Sequence, residues 1–156
     1  MDTRDLYRDV ILDHNRSPRN FGRLEPADGS ALGHNPLCGD SLSVTLRVHD
    51  DVLNELRFNG QGCAISIASA SLMSEAVTGM RLDEVAALYH EVHELLTDNQ
   101  HTPRRPLGKL MALSGVREFP ARVKCASLCW HTLNAALEQR GAAAPPSAQP
   151  ATVSTE

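Results

Sequence analysis

Three cysteines lie far apart in the chain, and each has neighbours that suit a reactive or metal-bound thiolate. Cys38 lies in the motif Asn-Pro-Leu-Cys-Gly-Asp, Cys63 follows Gly-Gln-Gly, and Cys125 follows Arg-Val-Lys. A single cysteine is most often a small apolar side chain in a protein core. Three cysteines that each have a glycine, a helix start or a cation beside them favour instead a discontinuous metal or sulfur site.

Asp40 is a candidate fourth ligand for this site. Residues i and i+2 of an extended segment point to the same side, so that Cys38 and Asp40 can reach one ion. A structural zinc site usually has Cys or His in all four positions. A carboxylate is a harder ligand than a thiolate and is more easily displaced, which is typical of a site that must open.

The residues around Cys125 provide positive charge and a further thiol. Three thiolates and one carboxylate around Zn²⁺ leave a formal charge of about -2, so that the neighbouring Arg122 and Lys124 should stabilise the thiolates. Cys129 lies four residues after Cys125, on the same face of a predicted helix. We expect Cys129 to pack in the core, and an auxiliary role as a resolving thiol or a substitute ligand is the alternative.

The composition excludes several classes of protein. A chain of 156 residues is long enough for one domain with its own core. Its net charge of -4 shows no basic excess of the kind that suggests binding to nucleic acid or to an anionic membrane. It contains neither a secretory signal nor an apolar run near the roughly 20 residues of a membrane span. We therefore expect a cytoplasmic protein whose cysteines act as ligands or nucleophiles rather than in disulfides.

The hydrophobic periodicity predicts one folded domain that contains an antiparallel hairpin and several helices. Alternation from Ser41 onward predicts a strand, and a turn at 49–51 leads to a second strand over 52–58, which together form an antiparallel hairpin. Helical spacing predicts helices over 5–14, 64–78, 82–96, 107–115 and from Pro120 to Gly141. Residues 1–140 are therefore expected to form the domain. Residues 141–156 are rich in Ala, Pro, Ser and Thr and are expected to be a disordered tail.

Four motifs, taken in order, closely resemble the SufU proteins of the wider IscU/NifU-like family of iron–sulfur cluster assembly. They lie at residues 6–20, 35–40, 62–66 and 119–125, and the similarity covers about residues 4–139. Two features resemble the SufU branch rather than the IscU branch. The segment 91–114 is similar to an insertion of SufU proteins, and Lys124 stands where IscU-type scaffolds have a histidine.

The resemblance implies both a fold and a chemistry. It implies an α+β fold with a small antiparallel sheet and helices packed on it, and Zn²⁺ bound by Cys38, Asp40, Cys63 and Cys125. It further implies that Cys38 accepts persulfide sulfur from a SufS-like cysteine desulfurase, a pyridoxal-phosphate enzyme. The sulfur would then pass to downstream cluster assembly proteins.

Three functions remain open from the sequence. The first is a zinc-bound sulfurtransferase, which Lys124 favours. The second is a scaffold that holds iron or a transient [2Fe-2S] cluster on the same ligands. The third is a zinc-stabilised interaction module without sulfur chemistry, which Asp40 argues against because a purely structural site gains nothing from a labile oxygen ligand.

Overall fold

The computed structural model describes residues 3–98, 102–104, 106–141 and 151–154. Within these residues the chain is a four-stranded sheet with helices packed on it, so that the expected α+β class is confirmed. The elements in chain order are α1 (Thr3–Arg16), β1 (Gly29–Asn35), β2 (Asp40–His49), β3 (Val52–Gln61), α2 (Ala64–Val77), α3 (Leu82–Thr97), a 3₁₀ helix (Gly108–Glu118), α4 (Pro120–Gly141) and β4 (Ala151–Ser154).

The sheet has the strand order β3-β2-β1-β4. The predicted hairpin is present as the antiparallel pair β2 and β3, and β1 pairs with β2 in the same antiparallel sense. An irregularity between Arg47 and Val48 lets one residue of β3 remain unpaired. This bulge explains why Leu53 and Leu56 are both buried although they lie three residues apart, since strict alternation requires two or four.

Strand β1 has no counterpart among the predicted elements. Its buried positions alternate correctly, but they are occupied by small residues, Gly29, Ala31 and Gly33. A Cβ atom on Gly33 would collide with Thr132 of α4, and one on Gly29 would collide with the carbonyl of Ala136. The close approach of α4 therefore requires small side chains at these positions, and it removes the large β-branched residues by which a strand is normally detected.

The hydrophobic core lies between the sheet and the helices. Leu42, Val44 and Leu46 of β2 are buried on the face predicted from their alternation, and α4 packs across β1 and β2. Helix α2 packs beside α4, and α1 and the 3₁₀ helix pack against α2. In the part of the chain that the structure describes, no helix combines the length and apolar character needed to cross a membrane.

The C-terminal segment differs from the sequence prediction. Residues Ala151–Ser154 form β4, which pairs in parallel with β1 from Ala31 to His34 and also contacts α4. The prediction of a disordered tail is therefore wrong for these four residues, because backbone pairing to an open sheet edge needs no hydrophobic pattern. The rest of the predicted tail, 142–150 and 155–156, lies outside the described residues.

Candidate metal and sulfur site

The candidate site lies at one end of the sheet, where three elements meet. Asp40 is the first residue of β2, and the turn between β1 and β2 contains Cys38. Cys125 lies near the start of α4, and Cys63 is the residue that caps the N-terminus of α2. Strand pairing and helix packing thus bring together residues that are up to 87 positions apart in the chain.

Cys38, Asp40 and Cys125 form a group of converging donor atoms. One ligand atom of each lies within 4.8 Å of the others, and the two sulfur atoms are 3.3 Å apart. Cys38 is exposed, whereas Asp40 and Cys125 are fully buried. A buried carboxylate beside two thiols is costly without a positive charge to compensate it. The donor set therefore fits a borderline cation such as Zn²⁺.

Cys63 contacts this group through its backbone amide, and its thiol also interacts with Cys125. Its amide donates a hydrogen bond of 2.8 Å to Oδ1 of Asp40. Its Sγ also accepts the backbone N–H of Ser66 at 3.5 Å and so caps α2, which begins where the sequence predicts. The structure thus brings three of the four candidate donors together, and a sulfur contact from Cys63 to a metal stays a prediction.

Gly62 allows the carboxylate of Asp40 to reach its place. A Cβ atom on Gly62 would lie 2.6 Å from Oδ1 and 3.1 Å from Cγ of Asp40, and 3.1 Å from Oγ of Ser66. The requirement for glycine here comes from the space that the carboxylate occupies.

We expect Gly62→Ala to push the Asp40 carboxylate out of position and to weaken metal binding. Crowding of this kind typically costs about 1–3 kcal/mol of unfolding free energy. Urea denaturation and chelator competition measure the two effects, and Gln61→Ala is the control because Gln61 is an exposed neighbour. Unchanged stability and metal affinity in Gly62→Ala would show that Asp40 does not depend on this gap.

The electrostatics of Cys125 differ from the expectation that its cationic neighbours favour a thiolate. Burial, followed by hydrogen bonding with Cys38 and Asp40, raises the pKa of the Cys125 thiol. Arg122 lies beside Cys125. Two effects raise the pKa of Arg122: its hydrogen bond to Cys125 and, second, the negative charge of Cys63. Arg122 is exposed to solvent, so its charge is screened and does not offset the burial of Cys125.

The other two candidates lie outside the donor group. Lys124 is half-buried, and its carbonyl accepts a hydrogen bond of 3.3 Å from Ser127. Cys129 is fully buried in the core, where its Sγ lies 3.4 Å from Oγ of Ser69. Burial raises the pKa of Cys129 to about 12, so its thiol stays protonated near neutral pH.

Asn35 is a residue at the site that the sequence analysis does not single out. Its side chain is fully buried and lies opposite Asp40 in the register of β1 and β2. It contacts Oδ2 of Asp40 at 3.4 Å, Sγ of Cys125 at 3.6 Å and the backbone N–H of Leu37 at 3.3 Å. Asn35 could have been predicted as a site residue only if β1 had been predicted as a strand, because the strand determines the face on which the Asn35 side chain lies.

Comparison with known proteins assigns the chain to a family. The family model described as "NifU-like N terminal domain" matches residues 6–126. The zinc-dependent sulfurtransferase SufU of Bacillus subtilis (strain 168) is 38% identical over 128 residues, which cover 82% of this chain and 86% of that protein. The iron–sulfur cluster assembly scaffold protein IscU of Streptococcus pyogenes serotype M1 is 36% identical over 134 residues, which cover 86% and 84%.

The fold agrees with the same assignment. The crystal structure of a nitrogen-fixing NifU-like protein (N-terminal) from Brucella abortus superposes with a TM-score of 0.81 at 26% identity, covering 90% of this chain and 97% of that one. The residues that the family model matches, 6–126, include Cys38, Asp40, Cys63 and Cys125. The chain belongs to the family of the NifU-like N-terminal domain, which it shares with SufU and IscU proteins.

Proposed function

We propose that this protein acts in iron–sulfur cluster assembly as a zinc-dependent sulfurtransferase that accepts sulfur on Cys38. The observation on which this depends is the exposed Cys38 thiol beside two fully buried donors, Asp40 and Cys125. The name of the Bacillus subtilis relative, which is 38% identical, supports the same chemistry.

The residues that would hold Zn²⁺ are Cys38, Asp40, Cys63 and Cys125. When bound, the ion supplies positive charge that keeps the thiols deprotonated near neutral pH. Asp40 is suited to this set because Oδ1 is fixed by the amide of Cys63, so the carboxylate is oriented before any ligand arrives. Arg122 and Lys124 would add positive charge at the rim of the site, where a persulfide on Cys38 would carry negative charge.

The transfer step that we propose is an exchange between two sulfur–sulfur bonds. The thiolate of Cys38 attacks the terminal sulfur of a persulfide on a SufS-like cysteine desulfurase, a pyridoxal-phosphate enzyme. A new bond forms between Cys38 Sγ and that sulfur, the desulfurase bond breaks, and its electron pair leaves on the desulfurase cysteine. No oxidant is needed. Cys38 is accessible for this attack because it lies in the exposed turn 36–39, where Gly39 adopts a φ of 71°.

Sulfur labelling tests the acceptor. After incubation with a cysteine desulfurase and cysteine, we expect mass spectrometry to find one added sulfur on the peptide that contains Cys38. Cys38→Ser should abolish the label, and Cys129→Ala should retain it because Cys129 is enclosed in the core. A label that persists in Cys38→Ser, above all on Cys129, would refute the assignment of the acceptor.

A scaffold for a [2Fe-2S] cluster is the second candidate function. The IscU relative, which is 36% identical, is named as a scaffold protein, and two thiols with a carboxylate can also hold iron. Here the cluster would be cargo on the same residues that we assign to zinc. Purification without oxygen separates the two functions, because a cluster gives a brown protein with thiolate-to-iron absorption and zinc gives a colourless one.

A further inference from the structure

We propose that Asn35 is a positioning residue that orients Asp40 and Cys125 toward the metal and links them to the turn that carries Cys38. This inference rests on the metal site of the proposed function. It concerns the side-chain amide of Asn35, which contacts all three parts of the site: the carboxylate, the buried thiol and the turn.

The contacts determine which way the amide of Asn35 points. The backbone N–H of Leu37 can only donate, so the atom that faces it at 3.3 Å must be the carbonyl oxygen Oδ1. The amino group Nδ2 therefore faces Oδ2 of Asp40 at 3.4 Å and Sγ of Cys125 at 3.6 Å. The orientation that places a donor toward both candidate ligands is thus set by the turn.

The fold places Asn35 where it can reach both ligands. Asn35 follows Gly33 by two residues, so its side chain lies on the face of β1 that packs against α4, which carries Cys125. The same residue pairs directly with Asp40 across the β1–β2 ladder. Its backbone carbonyl also accepts the N–H of Cys38 at 3.3 Å.

The chemical effect is to hold a carboxylate from two sides. Oδ1 of Asp40 accepts the amide of Cys63 at 2.8 Å, and Oδ2 accepts Nδ2 of Asn35. The second contact is at the long end of hydrogen-bond distances, so we assign it to orientation rather than to strong binding. A donor that faces Cys125 Sγ also stabilises a thiolate there, which offsets part of the burial cost.

A turn-forming role is the alternative, since an Asn side chain that accepts the N–H two residues later is a common turn element. Asn35→Asp separates the two roles. An aspartate keeps an oxygen for the N–H of Leu37 and is almost equal in size, but it replaces the Nδ2 donor by an oxygen. An added negative charge beside a cation site by itself favours binding of the cation. If Asn35 only formed the turn, Asn35→Asp would therefore bind the metal as tightly as the wild-type protein or more tightly, whereas loss of an orienting donor would weaken binding.

Co²⁺ binding to the full chain is the test, measured by chelator competition and by the visible spectrum of the bound ion. We expect Asn35→Asp and Asn35→Ala each to weaken Co²⁺ binding by about 10–100-fold and to change the visible bands. Asn59→Asp is the matched control, because it adds the same charge at an exposed residue whose Oδ1 accepts the neighbouring amide of Gly60. It should leave both readouts unchanged.

The outcomes distinguish failure of the positioning role of Asn35 from failure of the proposed metal site. Equal or tighter Co²⁺ binding by Asn35→Asp, with the wild-type spectrum, would overturn the positioning role even if Asn35→Ala were weakened. Failure of the wild-type protein to bind Co²⁺ would instead overturn the metal site of the proposed function. Circular dichroism checks the fold of each variant. If Asn35→Asp does not fold, Asn35→Ser makes the same comparison, since its hydroxyl can serve the turn but is too short to reach Cys125.

Discussion

Removal of the proposed Zn²⁺ is expected to lower the melting temperature of this protein by about 8–16 °C. A ligand present at about 1,000 times its dissociation constant adds about 4.1 kcal/mol to the unfolding free energy. In a chain of this length each 1 kcal/mol changes the melting temperature by about 2–4 °C. The effect is expected because Cys38 and Asp40 belong to the β1–β2 hairpin and Cys125 to α4, so one ion would cross-link separate elements of the fold.

Elemental analysis and calorimetry before and after chelation measure this effect. Protein purified without oxygen should be colourless and contain about one Zn²⁺ per chain. Cys129→Ala is the control, because Cys129 lies in the core outside the donor group and should leave the metal-dependent shift intact. A brown, iron-containing protein without zinc would contradict the sulfurtransferase function and favour the scaffold.

Oxidation of the metal-free protein is expected to join Cys38 to Cys125 and to abolish alkylation of Cys38. The two sulfur atoms are 3.3 Å apart, so bond formation requires only a small further approach. With diamide as the oxidant, the two thiols lose two hydrogens to form the disulfide, and diamide is reduced to the hydrazine. The zinc-loaded protein should resist the same treatment because its thiolates are engaged as ligands.

Peptide mapping without a reducing agent identifies this disulfide. The peptides containing Cys38 and Cys125 should appear as one linked species in the metal-free sample, and zinc should suppress it. Cys129 provides an internal control, since its thiol is enclosed in the core and lies outside the group in which Cys38 and Cys125 meet. A disulfide between Cys125 and Cys129, or equal oxidation with and without zinc, would contradict the arrangement of the site.

The parts of the fold that have a strong hydrophobic period are predictable from the sequence. The alternation of Leu42, Val44 and Leu46 locates β2, and the helix predicted over 82–96 is α3, Leu82–Thr97. The predicted helix over 107–115 is a 3₁₀ helix, Gly108–Glu118, which periodicity does not distinguish from an α-helix over so short a segment. Strand β1 escapes prediction because its inward positions must be small to admit α4.

Of the four donors predicted from the sequence, the fold brings three into one group, and the environment of that group is not predictable from the sequence. Local motifs identify Cys38, Asp40 and Cys125, since thiols and carboxylates with glycine or cationic neighbours are unusual. Burial of Cys125 follows from the packing of α4 on the sheet, which the neighbouring residues do not encode, so the sequence overestimates the influence of Arg122. The position of Asn35 depends on β1, so an unrecognised strand also conceals a residue of the site.

Strand β4 has a consequence for how this protein should be produced. Residues Ala151–Ser154 cover the backbone of β1 from Ala31 to His34. Shortening the chain after α4 would leave those amide and carbonyl groups free to pair with β1 of a second molecule. A shortened protein would therefore tend to self-associate through an edge that ends one residue before Asn35. Expression plasmids should therefore include the codons for residues 151–154.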